Sequence, residues 1–403
     1  MPSGKARATE LKHVRQRSQP DVAAGQDGAP RTAGQARRPL VTMGEGNTPL
    51  VKSVRLGPAL GLRNLYFKLE SVNPTGSYKD RVAAAAVSHA VETGLGAVIG
   101  TSSGNAGAAF AAYARRAQLP CYLIVLGDTK REKLAQIQAY GATVIGIHDF
   151  GRDPRVTEAV FGLLQQVAQE RRWLLGITTN THSPIGMRGI RAIAKEICRD
   201  LQGSPDRVFV PVGGGGLFAS SWQGFIDVKD DGLIDRLPRM MAVHPSGAPF
   251  LTEARRRGRA DIPPAECTSA ISGLQIPRPP DAEWVLAAVA DSGGDILAVS
   301  DEEILEAQAA LARMEGILAE PAGAAAFAGL RHAVRAGLVD PGETVVCYVT
   351  GTGLKDLGPG SRLLRDVPEF PVIRADQLAD ALERLEARGQ REAPAPGEPA
   401  ANA

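Results

Sequence analysis

Between Pro39 and about Arg388, apolar positions recur in blocks whose spacing switches between a period near two and a period near 3.6. Arg63 to Leu69 predicts a strand, and Tyr78 to Thr93 a helix with alanine at most inward positions and Gly94 at its end. Ala97 to Gly100 predicts a short buried strand. Helix Ala106 to Ala117, strand Cys121 to Leu126, helix Arg131 to Tyr140, strand Thr143 to Ile147 and helix Pro154 to Arg171 follow. The rhythm resumes with helix Met187 to Leu201, strand Arg207 to Val212, helix Leu217 to Phe225 and strand Arg239 to Val243. After a proline-rich crossing near Pro277 to Pro280 come strand Ile296 to Val299, helices Asp301 to Arg313 and Ala322 to Ala336, and strand Thr344 to Val349.

Alternation of this kind predicts an α/β fold with two open, mainly parallel twisted sheets and helices on both faces. Sheets of that type bind ligands outside the carboxyl ends of their strands, so the active site is expected between two domains. The chain is expected to divide into a large domain of residues 40–84 and 186–365, a small substrate-side domain of residues 85–185, and a C-terminal helical segment of residues 366–388. Residues 1–39, rich in Arg, Ala and Gln, and residues 389–403, with Glu392-Ala393-Pro394-Ala395-Pro396-Gly397, have the composition of disordered tails. Glu10, Asp21 and Asp27 count against reading the first of these as an organelle transit peptide.

Composition narrows the function classes. The net charge of +2 comes from 46 basic and 44 acidic residues, a balance that makes no electrostatic case for nucleic acid. Arg255-Arg256-Arg257 is expected to be a solvated helix face. The four cysteines, Cys121, Cys198, Cys267 and Cys347, show no C-x-x-C spacing, so neither a zinc cluster nor a disulfide framework is expected and a reducing cytoplasm fits. No run approaches the roughly 20 apolar residues of a spanning helix, and the first 30 residues hold no secretory signal. The chain is therefore expected to be soluble and cytoplasmic. His89, His148, His182, His244 and His332 lack metal-ligand spacing, and no metal is expected.

Four segments carry candidate chemistry. Asn73-Pro74-Thr75-Gly76-Ser77-Tyr78-Lys79-Asp80-Arg81 is a turn entering a helix, with Ser77 and Asp80 placed as a capping box. Lys79 then falls in the first turn, where the helix dipole disfavours an ammonium and favours the free amine that attacks carbonyls. Thr101-Ser102-Ser103-Gly104-Asn105-Ala106 joins a strand to a helix whose unpaired N–H groups suit a carboxylate, and Asn105 can donate a neutral hydrogen bond to a ring oxygen. Gly213-Gly214-Gly215-Gly216 lies between a strand and a helix, and four residues without Cβ let the backbone surround a phosphate. Gly214, Gly216 and Ala219, with Asp235 downstream, also satisfy the dinucleotide pattern G-x-G-x-x-A. Finally, Thr350-Gly351-Thr352-Gly353-Leu354-Lys355-Asp356 closes the last strand, and a hydroxyl there can bond a pyridine nitrogen. Taken singly, each segment also fits a bland role as a solvated lysine, a capped turn or a tight loop.

Together, and in this order, the four segments resemble the fold-type II pyridoxal-phosphate enzymes, the tryptophan synthase β-subunit superfamily. Gly46-Asn47-Thr48-Pro49-Leu50 and Glu320-Pro321-Ala322-Gly323-Ala324-Ala325 extend the resemblance, which runs from about Gly46 to Asp356. It implies pyridoxal 5′-phosphate as cofactor, bound in the large domain. Lys79 would be the lysine that forms a Schiff base with it, Asn105 would face its ring hydroxyl, Gly213, Gly214, Gly215 and Gly216 would hold its phosphate, and Thr350 would meet its ring nitrogen. Ser102, Ser103, Gly104, Asn180 and Arg188 would seat a small amino-acid substrate. Members are commonly homodimers.

Ser-Tyr-Lys-Asp-Arg around Lys79 and Gly353-Leu354-Lys355-Asp356 after Thr350 look most like threonine synthase, a lyase of amino-acid biosynthesis that converts O-phosphohomoserine and water to threonine and phosphate. Two features depart from that pattern. In Thr178-Thr179-Asn180-Thr181-His182-Ser183-Pro184-Ile185-Gly186, Ser183 stands at about the position where many threonine synthases carry a phosphate-gripping arginine, and Arg188 lies on the following helix. The four-glycine loop is more typical of serine and threonine dehydratases and of β-replacement synthases. A dehydratase, a diaminopropionate ammonia-lyase or a β-replacement enzyme therefore stays open as the alternative. So do a nicotinamide oxidoreductase built on Gly214, Gly216 and Ala219, which leaves Lys79 and Asn105 without a purpose, and a catalytically silent relative, against which the intact Lys79 argues.

Overall fold

The computed structural model describes residues 40–357 and 374–377. The expected N-terminal tail lies outside the described residues, as does almost all of the chain from 358 onward. Among the described residues ten strands form two sheets. The first runs in the order β1 (Leu50–Lys52), β2 (Asn64–Leu69), β10 (Thr344–Val349), β7 (Arg207–Pro211), β8 (Arg239–Pro245), β9 (Asp295–Val299). The second runs β5 (Thr143–Ile147), β4 (Cys121–Leu126), β3 (Val98–Thr101), β6 (Leu174–Gly176). Only the β1–β2 pair is antiparallel.

Successive side chains of a strand point to opposite faces, and in the first sheet both faces are apolar. Val345, Cys347 and Val349 of β10 join Phe209 and Val243 in one core, roofed by α11 (Asp301–Glu315) and α12 (Pro321–Arg335) through Ile304, Leu311, Phe327 and Leu330. Val346 and Tyr348 join Val208, Val210 and Ala242 in the other, covered by Phe218 and Phe225 of α8 (Gly216–Asp230) and by Val285 and Val289 of α10 (Ala282–Ser292). The second sheet is divided likewise. Val98, Leu123 and Val125 share a core with Phe110 and Tyr113 of α3 (Asn105–Arg116), while Ile99 and Ile124 meet Val160 and Leu164 of α5 (Pro154–Glu170).

A charged cluster ties the start of the described chain to this frame. Arg81, on α2 (Lys79–Thr93), donates from Nε and Nη2 to Glu70 at 2.7 and 2.8 Å and from Nη1 and Nη2 to Glu196 at 2.6 and 2.8 Å. Lys68 donates to Glu196 and to the Thr48 carbonyl, both at 2.7 Å, and the Asn47 N–H donates to Glu196 at 2.9 Å. The Gly46-Asn47-Thr48 motif is thus a fastening built on Lys68, Glu70, Arg81 and Glu196, all of them buried. Burial alone would raise the Glu196 carboxyl, but the hydrogen bond and charge of Arg81, then Lys68, bring it down to about 2.

Three local expectations change. The capping box at α2 is absent: Asp80 reaches back to the Thr75 N–H and hydroxyl at 2.9 and 2.8 Å, and the Ser77 hydroxyl accepts the Lys79 N–H at 3.3 Å. The helix expected over Met187 to Leu201 is α6 (Pro184–Arg188), a 3-10 turn at Gly189–Arg191, and α7 (Ala192–Leu201). Pro184 starts it early because a first-turn residue needs no N–H, and Gly189 lets its backbone close on the Arg81 carbonyl. α8 runs on to Asp230, and Arg255-Arg256-Arg257 ends α9 (Phe250–Arg257) with ion pairs to Glu253 and Asp295. No described helix is long and apolar enough to cross a membrane.

Candidate active site

Each candidate segment follows the carboxyl end of a parallel strand. Ser102–Asn105 follows β3, Thr178–Ser183 follows β6, Gly213–Gly216 follows β7 and Thr350–Asp356 follows β10, while Lys79 lies beyond β2 and the 3-10 turn Glu70–Val72. Sheet order therefore brings together residues far apart in the chain.

The Lys79 amine donates to the Thr178 hydroxyl and lies 4.6 Å from the centroid of the Tyr78 ring. Just before Lys79 the lysine loop is clipped to the segment that follows β10. The Tyr78 N–H donates to the Thr350 carbonyl at 3.0 Å, and the Thr352 N–H donates to the Gly76 carbonyl at 2.9 Å. Lys79 and Thr350 are thereby parts of one structure.

Thr178 also touches the glycine turn. A Cβ on Gly216 would lie 3.0 Å from the Thr178 carbonyl oxygen and 2.7 Å from Met187 Cε, and one on Gly215 would lie 3.0 Å from Asp281 Cβ. Gly215 holds φ +93°, the left-handed region that glycine tolerates. The turn opens α8, whose first N–H groups have no partner within the helix. An oxyanion fits a bare backbone at a helix N-terminus, and Thr178, whose hydroxyl accepts from the Lys79 amine, borders this turn through its carbonyl. These residues fit pyridoxal phosphate, which needs a lysine amine for its aldehyde and an anion cradle for its phosphate.

Asp281, which the sequence pattern did not single out, holds this corner together. It is fully buried. Its backbone N–H donates to the Gly214 carbonyl at 3.0 Å, and its carboxylate accepts from the Asn180 N–H and side-chain amide at 2.6 and 3.1 Å and from the Thr181 N–H and hydroxyl at 3.2 and 2.9 Å. The Asn180 Oδ1 accepts from Ser220 at 3.1 Å, so both ends of that amide are engaged within the protein. His182 is half-buried and shares a hydrogen bond with Thr179 at 2.9 Å. Ser183 is buried beside Gly186, and Arg188 is exposed at the end of α6.

On the other side, Asn105 Nδ2 donates to Glu320 at 2.7 Å, Lys355 donates to Asn105 Oδ1 at 2.8 Å, and the Thr350 hydroxyl donates to Glu320 at 3.3 Å. Burial raises the Glu320 carboxyl. Ser102 Oγ accepts the Gly104 N–H at 3.1 Å, and nothing lies within 4 Å of where a Gly104 Cβ would sit, leaving the Ser102–Gly104 turn open above α3. Asp235 is exposed before β8, at the opposite end of the sheet from the glycine turn, where it could not meet a ribose bound there.

A family model described as pyridoxal-phosphate dependent enzyme matches residues 41–351. The chain belongs to this family. The threonine synthase of Methanocaldococcus jannaschii is 40% identical over 320 residues, covering 79% of this chain and 77% of that protein. The threonine synthases of Methanosarcina acetivorans and Mycobacterium leprae are each 37% identical, covering 86% and 84% of this chain and 82% and 89% of theirs. Among solved structures, the cysteine synthase of Entamoeba histolytica superimposes with a TM-score of 0.65 at 21% identity, covering 90% of this chain and 99% of that one. The processed form of threonine deaminase isoform 2 from Solanum lycopersicum gives 0.63 at 20% identity, covering 84% and 83%. These likenesses show the fold. The enzyme is a pyridoxal-phosphate-dependent, threonine synthase-like lyase.

Proposed function

We propose that Lys79 carries the cofactor covalently and that the substrate is O-phosphohomoserine, converted with water to threonine and phosphate. The observation that carries this reading is the Lys79 amine on Thr178, whose own carbonyl packs against Gly216 at the mouth of α8. When bound, pyridoxal phosphate supplies the electron sink that lets a proton leave the substrate α-carbon. Gly213–Gly216 and the first N–H groups of α8 receive its phosphate, Asn105 its ring oxygen and Thr350 its ring nitrogen. The Ser102–Gly104 turn and the opening of α3 take the substrate carboxylate. Lys79 takes the protons that leave the substrate Cα and Cβ and returns them to Cα and Cγ, with the Thr178 hydroxyl as its resting partner, while phosphate leaves Cγ and takes up the proton of the water whose hydroxyl adds at Cβ. Residues 85–185, which hold the second sheet, form the substrate-side domain in this reading.

Purified protein supplied with pyridoxal phosphate and O-phosphohomoserine is expected to release phosphate and threonine in equal amounts. Lys79→Ala should lose the cofactor's visible band and slow turnover about a thousandfold or more. Formation only of a 2-oxo acid from serine or threonine would sink the substrate assignment. One observation favours that second reading, elimination from serine, threonine or diaminopropionate: the basic side chains of segment 178–188 are His182, turned to Thr179, and the exposed Arg188.

A further inference from the structure

Lys355 is a charged side chain at the site that the chemistry above leaves unused. It lies on the 3-10 turn Gly353–Asp356, which the Thr352 hydroxyl caps by accepting the Leu354 N–H at 3.3 Å and which the Gly353 N–H anchors to the Leu318 carbonyl at 2.9 Å. Gly76 makes room for it: a Cβ there would lie 3.3 Å from Lys355 Cε, 3.6 Å from Nζ and 2.7 Å from Thr352 Cγ2. Lys355 is an exposed residue, yet its amine donates to Asn105 Oδ1 at 2.8 Å.

A primary amide has a donor end and an acceptor end of nearly the same shape, so its neighbours decide which way it faces. At Asn105 the neighbours are opposites. Lys355 in its charged form only donates, and it stands at Oδ1; Glu320 accepts, and it stands 2.7 Å from Nδ2. Turning the amide over would set its NH2 against an ammonium and its oxygen against a carboxyl acceptor, losing both bonds at once. The orientation that remains gives one Nδ2 hydrogen to Glu320 and leaves the second for another acceptor. A pyridine ring oxygen is such an acceptor, so the enforced orientation is the productive one.

We propose that Lys355 is a positioning residue of the cofactor site, pinning the Asn105 carbonyl so that the amide NH2 faces the ring oxygen, with Glu320 as the opposing jaw. This rests on the assignment of Asn105 to the cofactor's ring oxygen. Charge-assisted hydrogen bonds are among the stronger ones, and loss of one that acts through a neighbour is worth about tenfold in affinity.

The test is a double-mutant cycle on the apoenzyme, titrated with pyridoxal phosphate. Dissociation constants are read together with the ratio of the cofactor's two near-visible absorption bands, which responds to hydrogen bonding at the ring oxygen. Lys355→Met is expected to weaken binding about tenfold and change the band ratio, and Lys355→Arg to restore most of both. In an Asn105→Ala background, Lys355→Met should add less than about twofold. The melting temperature of the apoprotein should not move, because Lys355 is exposed. Two results would overturn the inference alone: a Lys355→Met enzyme that binds and absorbs as wild type while Asn105→Ala does not, or losses that simply add in the double variant. If Asn105→Ala itself binds and absorbs as wild type, the assignment of Asn105 fails, and the inference with it.

Discussion

Asp80 follows Lys79 and spends its carboxylate on the turn before it. Burial raises its pKa to about 6, against the opposing hydrogen bonds from the Thr75 N–H and hydroxyl and the charge of Lys355. A carboxyl with a raised folded pKa binds its proton more tightly in the native state than in the unfolded one. Its stabilising contribution is therefore full in acid and is lost as pH climbs from about 4 through about 6. Two pKa units correspond to roughly 3 kcal/mol. Asparagine can accept the Thr75 N–H and donate to its hydroxyl, so Asp80→Asn keeps both contacts without the charge. From about pH 4 to about pH 7 the wild-type apoprotein is expected to lose roughly 3 kcal/mol more unfolding free energy in urea than the variant does. Parallel pH profiles would show that Asp80 titrates as an ordinary exposed carboxylate.

At the scale of elements, the turn between β7 and α8 shows that four identical residues are not equivalent. A Cβ on Gly213 would overlap the Gly273 carbonyl, a backbone atom that cannot swing aside, whereas one on Gly214 would meet Thr179 Cγ2 and Pro280 Cδ at 3.6 and 3.8 Å, ordinary contact distances. Gly213→Ala should destabilise the apoprotein by about 3 kcal/mol or more, and Gly214→Ala should stay within about 1 kcal/mol, both by urea unfolding. Equal costs would mean that the turn is held less firmly than its contacts imply. The glycine run itself was legible, because its four residues are consecutive in the chain. Strands Cys121–Leu126, Thr143–Ile147 and Thr344–Val349 were legible to the residue for the same reason: each is a block of β-favouring residues between turn signals. β6 was not, since three residues are too few to show a period, nor was α10, where Trp284-Val285-Leu286-Ala287-Ala288-Val289 is apolar almost throughout and blurs the helical repeat. In the site, Lys79, Asn105, the glycines and Thr350 could be nominated from their own loops. Thr178 and Asp281 could not, because what distinguishes them is a partner about a hundred residues away.

For the whole molecule the buried cluster of Lys68, Glu70, Arg81 and Glu196 joins β2, α2 and α7 to the Gly46–Thr48 segment, with two charges of each sign. Such a cluster does not add much stability by existing, but breaking it strands its partners. Glu196→Gln is expected to cost about 3–5 kcal/mol at neutral pH by urea unfolding, since Arg81 and Lys68 would lose their shared counter-ion. The sign with pH is opposite to that of Asp80. A depressed folded pKa means that this contribution is present above about 4.5 and disappears as pH falls toward about 2. A cost near that of a surface substitution would mean that water reaches the cluster.

The order β1-β2-β10-β7-β8-β9 places the last strand of the sheet to be synthesised between the second and the seventh. A chain still emerging from the ribosome can finish the second sheet, whose four strands are consecutive, but the first sheet must wait with a gap at its middle. Until β10 arrives, β2 and β7 each present an unpaired edge to any other strand nearby, and the Thr350 clip that fastens the lysine loop does not exist. The enzyme is thus finished from the centre last, and the interval before Val349 is made is when a nascent chain is most exposed to pairing with its neighbours.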